Sequence, residues 1–227
     1  MAETVEYEVV TQAGAGRDAG SGEPVLMSAR ASEGGLDAAA AAARRLVDAL
    51  VRLGDSTDYD TDALATRINA IAAEVEDALP DEAARLVEMW QQEGPNRHDL
   101  VTGPQNPIAP PLVVHGQPDG SVEASTTLPI AYQGQPRMAH GGISALLLDH
   151  TLGMANGWAG RGGMTARLTL NFKRPVPLGE PITIRAKQES VDGRKLYTQG
   201  VLSVDGEPCV TAEALFIAGH LPRPTAD

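Results

Sequence analysis

The stretch Ala139-His140-Gly141-Gly142-Ile143-Ser144-Ala145-Leu146-Leu147-Leu148-Asp149-His150 sets two adjacent glycines at the mouth of a hydrophobic helix and a carboxylate two turns inside it. Glycines leave backbone N–H groups uncovered at a helix start, where unpaired donors and the macrodipole favour an oxygen that is gaining negative charge. Asp149 follows Gly142 by seven residues, about two turns at roughly 3.6 residues per turn, and so returns to the same face. Amide donors and a base are therefore expected to converge on one carbonyl, which points to acyl chemistry. An aspartate directly after three leucines is costly unless it faces a cavity or a partner. The same glycines also permit close helix-to-sheet packing, a role compatible with exposed amides. His140 reads first as a residue that pins the turn, and His150 points about 100° away from Asp149 around the helix.

On either side of this helix the pattern takes the period of strands. Leu112 to Gly116 and Val122 to Ile130 read as two strands joined by Pro118-Asp119-Gly120. Beyond the helix, Ala166, Leu168, Leu170 and Phe172 oppose Arg167, Thr169, Asn171 and Lys173, and Ile182 and Ile184 oppose Thr183 and Arg185, so each face is expected to be half buried. Asp192-Gly193 and Asp205-Gly206 are hairpin turns beside strands Arg194 to Val204 and Pro208 to Ile217. The predicted order is strand, strand, helix, then four antiparallel strands.

The N-terminal part differs in kind. Residues 1–100 carry 20 acidic against 8 basic side chains, which accounts for the whole net charge of −12, while the remainder is neutral. Residues 1–35 read as a flexible acidic tail holding one strand-like patch, Val5 to Val10. Helical periodicity runs from Leu36 to Leu53, from about Asp62 to Leu79, and, after Pro80 and a capping Asp81, to about Gln92. Gly94, Pro95 and the prolines at 104, 107, 110 and 111 mark an extended connector. The expected organisation is a tail over 1–35, a helical extension over 36–95, a main domain over 96–220 and a C-terminal tail over 221–227.

An acidic chain repels phosphate backbones, so nucleic acid is not an expected partner. Residues 163–195 are a local exception, with seven basic against three acidic side chains, and a small phosphorylated ligand suits them; Lys173 and Arg174 stand at a strand end where they can meet phosphates. The single Cys209 excludes an intramolecular disulfide and fits a reducing cytoplasm. No run reaches the ~18 apolar residues of a membrane span, and the N-terminus has no secretory pattern, so a cytoplasmic location without membrane insertion is expected. His98 and His115 lack metal-ligand spacing; neither a metal nor a cofactor is expected. Phosphate loop, dinucleotide fingerprint and Gly-x-Ser-x-Gly elbow are all missing.

The element order, the His140-Gly141-Gly142 turn, Asp149 nine residues after the histidine, Tyr132-Gln133-Gly134 upstream, and Thr165-Ala166-Arg167-Leu168 leading to Asn171-Phe172-Lys173-Arg174-Pro175-Val176-Pro177-Leu178-Gly179 together resemble the hotdog-fold acyl-CoA thioesterases of the phenylacetate-pathway and THEM type. The resemblance covers roughly residues 96–220. It implies an α+β hotdog fold, a curved antiparallel sheet of about six strands wrapped around one long helix, and a homodimer or dimer of dimers whose sites are shared between subunits. It further implies that Gly141 gives an amide to the thioester oxygen, that His140 holds the turn, that Asp149 is general base or nucleophile, and that Thr165 assists the carboxylate. Gly142, Gly134, Lys173 and Arg174 are the expected substrate contacts. Some members place Asn or Gln six residues before the histidine; here that position is Gly134, flanked by Gln133 and Gln135.

The expected activity is hydrolysis of an acyl-CoA thioester to free acid and coenzyme A. Two other readings fit the same residues. One is a hotdog hydratase or dehydratase acting on 2-enoyl thioesters; the other is a non-catalytic acyl-CoA-binding module whose acidic helices form a contact surface.

Overall fold

A computed structural model of the chain describes residues 22–54, 58–91, 95–110 and 112–219. The patch Val5 to Val10 and the tail 221–227 lie outside the described residues. In chain order the elements are β1 (Val25–Leu26), α1 (Gly35–Leu53), α2 (Thr61–Glu76), α3 (Glu82–Gln91), β2 (Val113–Gly116), β3 (Val122–Thr127), a one-turn helix (Ile130–Tyr132), α4 (Gly141–Trp158), β4 (Met164–Phe172), β5 (Pro181–Asp192), β6 (Lys195–Val204) and β7 (Glu207–Ile217). The strands form one antiparallel sheet in the order β1-β2-β3-β5-β6-β7-β4.

Period-2 sequence becomes a one-sided core here. Ile182, Ile184 and Ala186 of β5 alternate inward, as do Val122 and Ala124 of β3 and Val210, Ala212, Ala214 and Phe216 of β7. Against this face lies α4, whose Leu147, Leu148, Leu152 and Ala155 are fully buried. Each of the three leucines contributes about 1.5–3 kcal/mol on leaving water. One buried polar cluster interrupts the apolar layer: Asn156 Oδ1 accepts from Gln188 Nε2 at 2.8 Å and from Thr198 Oγ1 at 2.7 Å. The architecture is the α+β hotdog.

Three expectations change. The sheet has seven strands rather than about six, because Val25–Leu26, expected within a tail, pairs with Gly116 and His115 and covers the outer edge of β2. The strand expected to reach Ile130 stops at Thr127, where Pro129 precedes the one-turn helix. The third lies in β4, where Leu168 and Leu170 are half-buried while Ala166 and Phe172 are exposed. At the sheet edge, β4 pairs with β7 alone among the described residues.

The helical segment also buries less than its periodicity suggests. On α1, Asp37 and Ala40 are buried, whereas Leu46, Val47, Leu50 and Val51 stay exposed. No residue of α2 is buried. Where α1 meets the rest of the chain it packs on the one-turn helix Ile130–Tyr132, beside the turn that opens α4.

Candidate active site

The segment 132–140 is a closed loop held by its own backbone. His140 N donates to Tyr132 O at 2.9 Å, Gly134 N to Met138 O at 2.9 Å, and Met138 N to Gln135 O at 2.9 Å. Ala139 N reaches Val176 O at 2.8 Å, which ties the loop to the segment after β4. Gln133 is spent on this loop, its Oε1 accepting from Arg137 N at 2.9 Å. Gly134 is required by close approach, since a Cβ there would stand 2.7 Å from His140 Cα. A longer side chain at position 134 would displace the histidine backbone, a steric reason for glycine at this position.

His140 is the N-cap of α4: its Nδ1 accepts from Gly142 N at 2.9 Å, so the neutral ring carries its proton on Nε2. The expected pair of uncovered glycine amides is thereby reduced to one. Gly142 N–H is consumed by the cap, while Gly141 N–H has no acceptor among the described residues. That amide sits at the positive end of an 18-residue helix.

Gly141 opens onto a surface pocket of about 670 Å³, lined by residues 133–135, 138–141, Ser144 and 172–176. Phe172 is the nearest wall: a Cβ on Gly141 would lie 3.5 Å from its ring. Lys173 and Arg174 stand in the rim. The Arg174 guanidinium is paired with Glu207 at 2.7 Å, and Lys173 has no ion pair among the described residues. Gly134, His140, Gly141, Lys173 and Arg174 are thus brought together around one opening.

Asp149 and Thr165 form a second cluster. Thr165 Oγ1 donates to Asp149 Oδ1 at 2.9 Å, and Asp149 is half-buried. Asp149 does not line the pocket of Gly141. Eight residues along a helix span about 12 Å, too far for a Gly141 amide and an Asp149 oxygen of one chain to act on the same carbonyl. The convergence expected from the shared face fails within a single chain, because facing the same way does not close the separation along the axis.

Next along α4, His150 Nε2 lies 3.7 Å from Asp99 Oδ1. Burial holds its pKa below the ordinary histidine value, with Asp99 and Asp149 pulling the other way. Tyr132 Oη donates to Ile108 O at 3.0 Å, and burial raises the phenol above its usual range.

Residues 137–209 match a family model described as "Thioesterase superfamily", and residues 27–84 match one described as "Hypothetical protein RHA1_ro05818, N-terminal helical domain". A solved structure described as a thioesterase superfamily protein is 47% identical, with a TM-score of 0.79, and the match covers 87% of this chain and 98% of that one. The chain belongs to the thioesterase superfamily. Curated relatives include the acyl-coenzyme A thioesterase THEM4 of Bos taurus, 42% identical over 37% of this chain and 35% of its own length. That of Xenopus laevis is 37% identical over 37% of this chain and 39% of its own length. The chain therefore matches little more than a third of either relative.

For this superfamily member, the sequence motifs include Phe172 and Ser144, both of which line the pocket, and Tyr132, whose carbonyl accepts the His140 amide, but sequence reasoning gave none of the three a role in the site. Phe172 sits at the apolar phase of β4, so periodicity marks it for the core; only its place on the edge strand exposes it.

Proposed function

We propose that the chain hydrolyses acyl-CoA thioesters to free acid and coenzyme A, in a site completed by a second copy of itself. The observation that carries this reading is the unengaged Gly141 amide, which opens onto the pocket beside Phe172 and Lys173. A thioester oxygen docked on that amide gains a donor at a helix N-terminus as negative charge develops, an effect worth roughly 3–4 kcal/mol per essential donor elsewhere. The curated relatives, named as acyl-coenzyme A thioesterases, support the substrate class.

The second copy answers the 12 Å separation. Among the described residues β4 offers an unpaired edge, and two such edges can pair antiparallel about a dyad. With the dyad through Thr169, and with Ala166 as the extra residue of the register shift between Thr165 and Arg167, Thr165 of one copy faces the partner's Phe172. Thr165 holds Asp149 and Phe172 flanks Gly141, so this register carries one copy's carboxylate to the other copy's amide. Asp149 then takes a proton from water, whose oxygen forms the new bond to the carbonyl carbon. Collapse of the tetrahedral centre breaks the C–S bond, and the departing sulfur recovers the proton. Lys173 and Arg174 meet the coenzyme A phosphates at the rim. Free Cys209, buried in β7, fits a reducing compartment, and a cytoplasmic location is part of the proposal.

The test is thiol release from a panel of short, medium and aromatic acyl-CoA substrates, with Asp149→Asn as the comparison. Release by the native chain, reduced by about 100-fold or more in the variant, supports the reading. No release from any substrate, or full activity in Asp149→Asn, overturns it.

A further inference from the structure

We infer that the N-terminal helix α1 positions the catalytic turn through Arg44 and a strap formed by residues 96–110, so that the helical segment is part of the hydrolytic machinery; this rests on the function proposed above. Arg44 lies midway along α1, and its guanidinium meets no carboxylate among the described residues. Instead it donates to three backbone carbonyls of the strap: Pro104 O at 2.5 Å, Asn106 O at 3.2 Å and Gly103 O at 3.4 Å. A planar cation that gathers several carbonyls fixes a loop's shape in a way a point charge does not. The strap is tightly wound as well, since a Cβ on Gly103 would come within 2.4 Å of Asp99 N.

A second anchor stands two turns earlier on α1. The buried Asp37 carboxylate accepts from Arg97, from Gln105 Nε2 at 2.9 Å and from Ser32 N at 2.7 Å. α1 thus grips the strap at residues 97 and 103–106. The strap in turn is seated in the fold by Val101 and Ala109, which are 2% and 0% exposed.

From there the strap reaches both ends of the proposed chemistry, one through Tyr132 and the other by direct contact with α4. Ile108 O accepts from Tyr132 Oη at 3.0 Å, and Tyr132 O accepts the amide of His140, the residue that caps α4 immediately before Gly141. At the other end Asp99 meets His150, the neighbour of Asp149. α1 also packs directly on the one-turn helix that contains Tyr132. Neither Arg44 nor Tyr132 Oη takes part in the proposed chemistry; both are positioning groups, acting on where the Gly141 amide points.

The experiment compares Arg44→Ala, Arg44→Lys and Tyr132→Phe in the full chain. It uses steady-state thiol release together with hydrogen exchange of peptides covering residues 133–144, the second readout being independent of activity. Misplacing a donor costs turnover more than binding, so kcat is expected to fall by about tenfold in Arg44→Ala and Tyr132→Phe with KM within about threefold. Exchange across 133–144 should quicken in the same two variants. Arg44→Lys keeps the charge but not the fork and should recover part of both effects. Where Arg44→Ala does not fold, Tyr132→Phe, which removes one hydroxyl, decides. Native kcat or native exchange in a folded Tyr132→Phe overturns the inference, as does a change confined to KM. A native chain without thioesterase activity would overturn the proposed function, while the exchange data would still read the brace itself.

Discussion

The Thr165 hydroxyl donates to Asp149 Oδ1 at 2.9 Å and so joins the middle of α4 to the start of the edge strand. The two residues carry different burdens. Asp149→Asn removes the proton acceptor and should cost about 100-fold or more in kcat. Thr165→Val removes one solvent-exposed hydrogen bond to the carboxylate, worth about 1.5 kcal/mol at the low end for such bonds, and should cost about tenfold. Initial rates of thiol release, with unchanged circular dichroism, check the ordering.

Gly134→Ala should damage both fold and activity. Its Cβ would meet His140 Cα at 2.7 Å, a backbone atom that cannot swing aside. Overpacking of this kind costs about 1–3 kcal/mol. Gly157 is the control, because a Cβ there meets nothing within 4 Å and the position is helical. Gly157→Ala should stabilise by up to about 1 kcal/mol. Thermal melts of the two variants should move in opposite directions.

Much of this fold is legible because it rests on period and punctuation. The alternation of Ile182, Ile184 and Ala186, or of Val210, Ala212 and Ala214, can be satisfied only by strands with one covered face, and the His140-Gly141-Gly142 turn announces the start of α4. What escapes is whatever depends on contacts distant along the chain. Arg44 meets Pro104 and Asn106 across about sixty residues, and no local pattern distinguishes it from a solvated helix arginine. The uncovered stripe Leu46, Val47, Leu50 and Val51 satisfies the same periodicity as a buried one. At the site, the glycine pair signals free amides, but which amide stays free is decided by a histidine rotamer that turns Nδ1 onto Gly142. Shared helical phase placed Asp149 with the glycines; the axial rise separates them.

Acid should destabilise the chain in two stages. Burial lowers the pKa of His150 and of His98 below the ordinary value of 6.5, the latter helped by Arg85. A histidine depressed in the folded state binds its proton more readily when unfolded, so its contribution is full above 6.5 and shrinks as pH falls through that value. Asp119, held at about 2 by hydrogen bonds from Ser121, and Asp37, held far below 3.8 mainly by Arg97, bring stability that is present above 3.8 and is lost toward lower pH. Thermal melts from pH 8 to pH 3 should therefore fall first near neutrality and again in the acid range. His150→Gln should shrink the first fall to the share carried by His98 and leave the second.

Gly141→Pro isolates the amide on which the proposed chemistry depends. Gly141 is the first residue of α4, where proline is accepted because its missing N–H is among those the helix leaves unpaired. The preceding His140 sits at φ −61° and ψ 135°, the extended conformation that a following proline demands. The Cβ it adds would meet the Phe172 ring at 3.5 Å, an ordinary contact. The variant should therefore fold and pair normally while losing on the order of 100-fold or more in kcat. Because the carboxylate that serves this amide is assigned to the partner copy, Gly141→Pro and Asp149→Ala should complement. A mixed dimer carries both lesions in one site and none in the other, and random pairing makes half the dimers mixed, so re-associated mixtures should regain about a quarter of native activity. Each variant alone should stay inactive. If the amide and the carboxylate instead served the same chain, every site in the mixture would hold one lesion, and mixing would restore nothing.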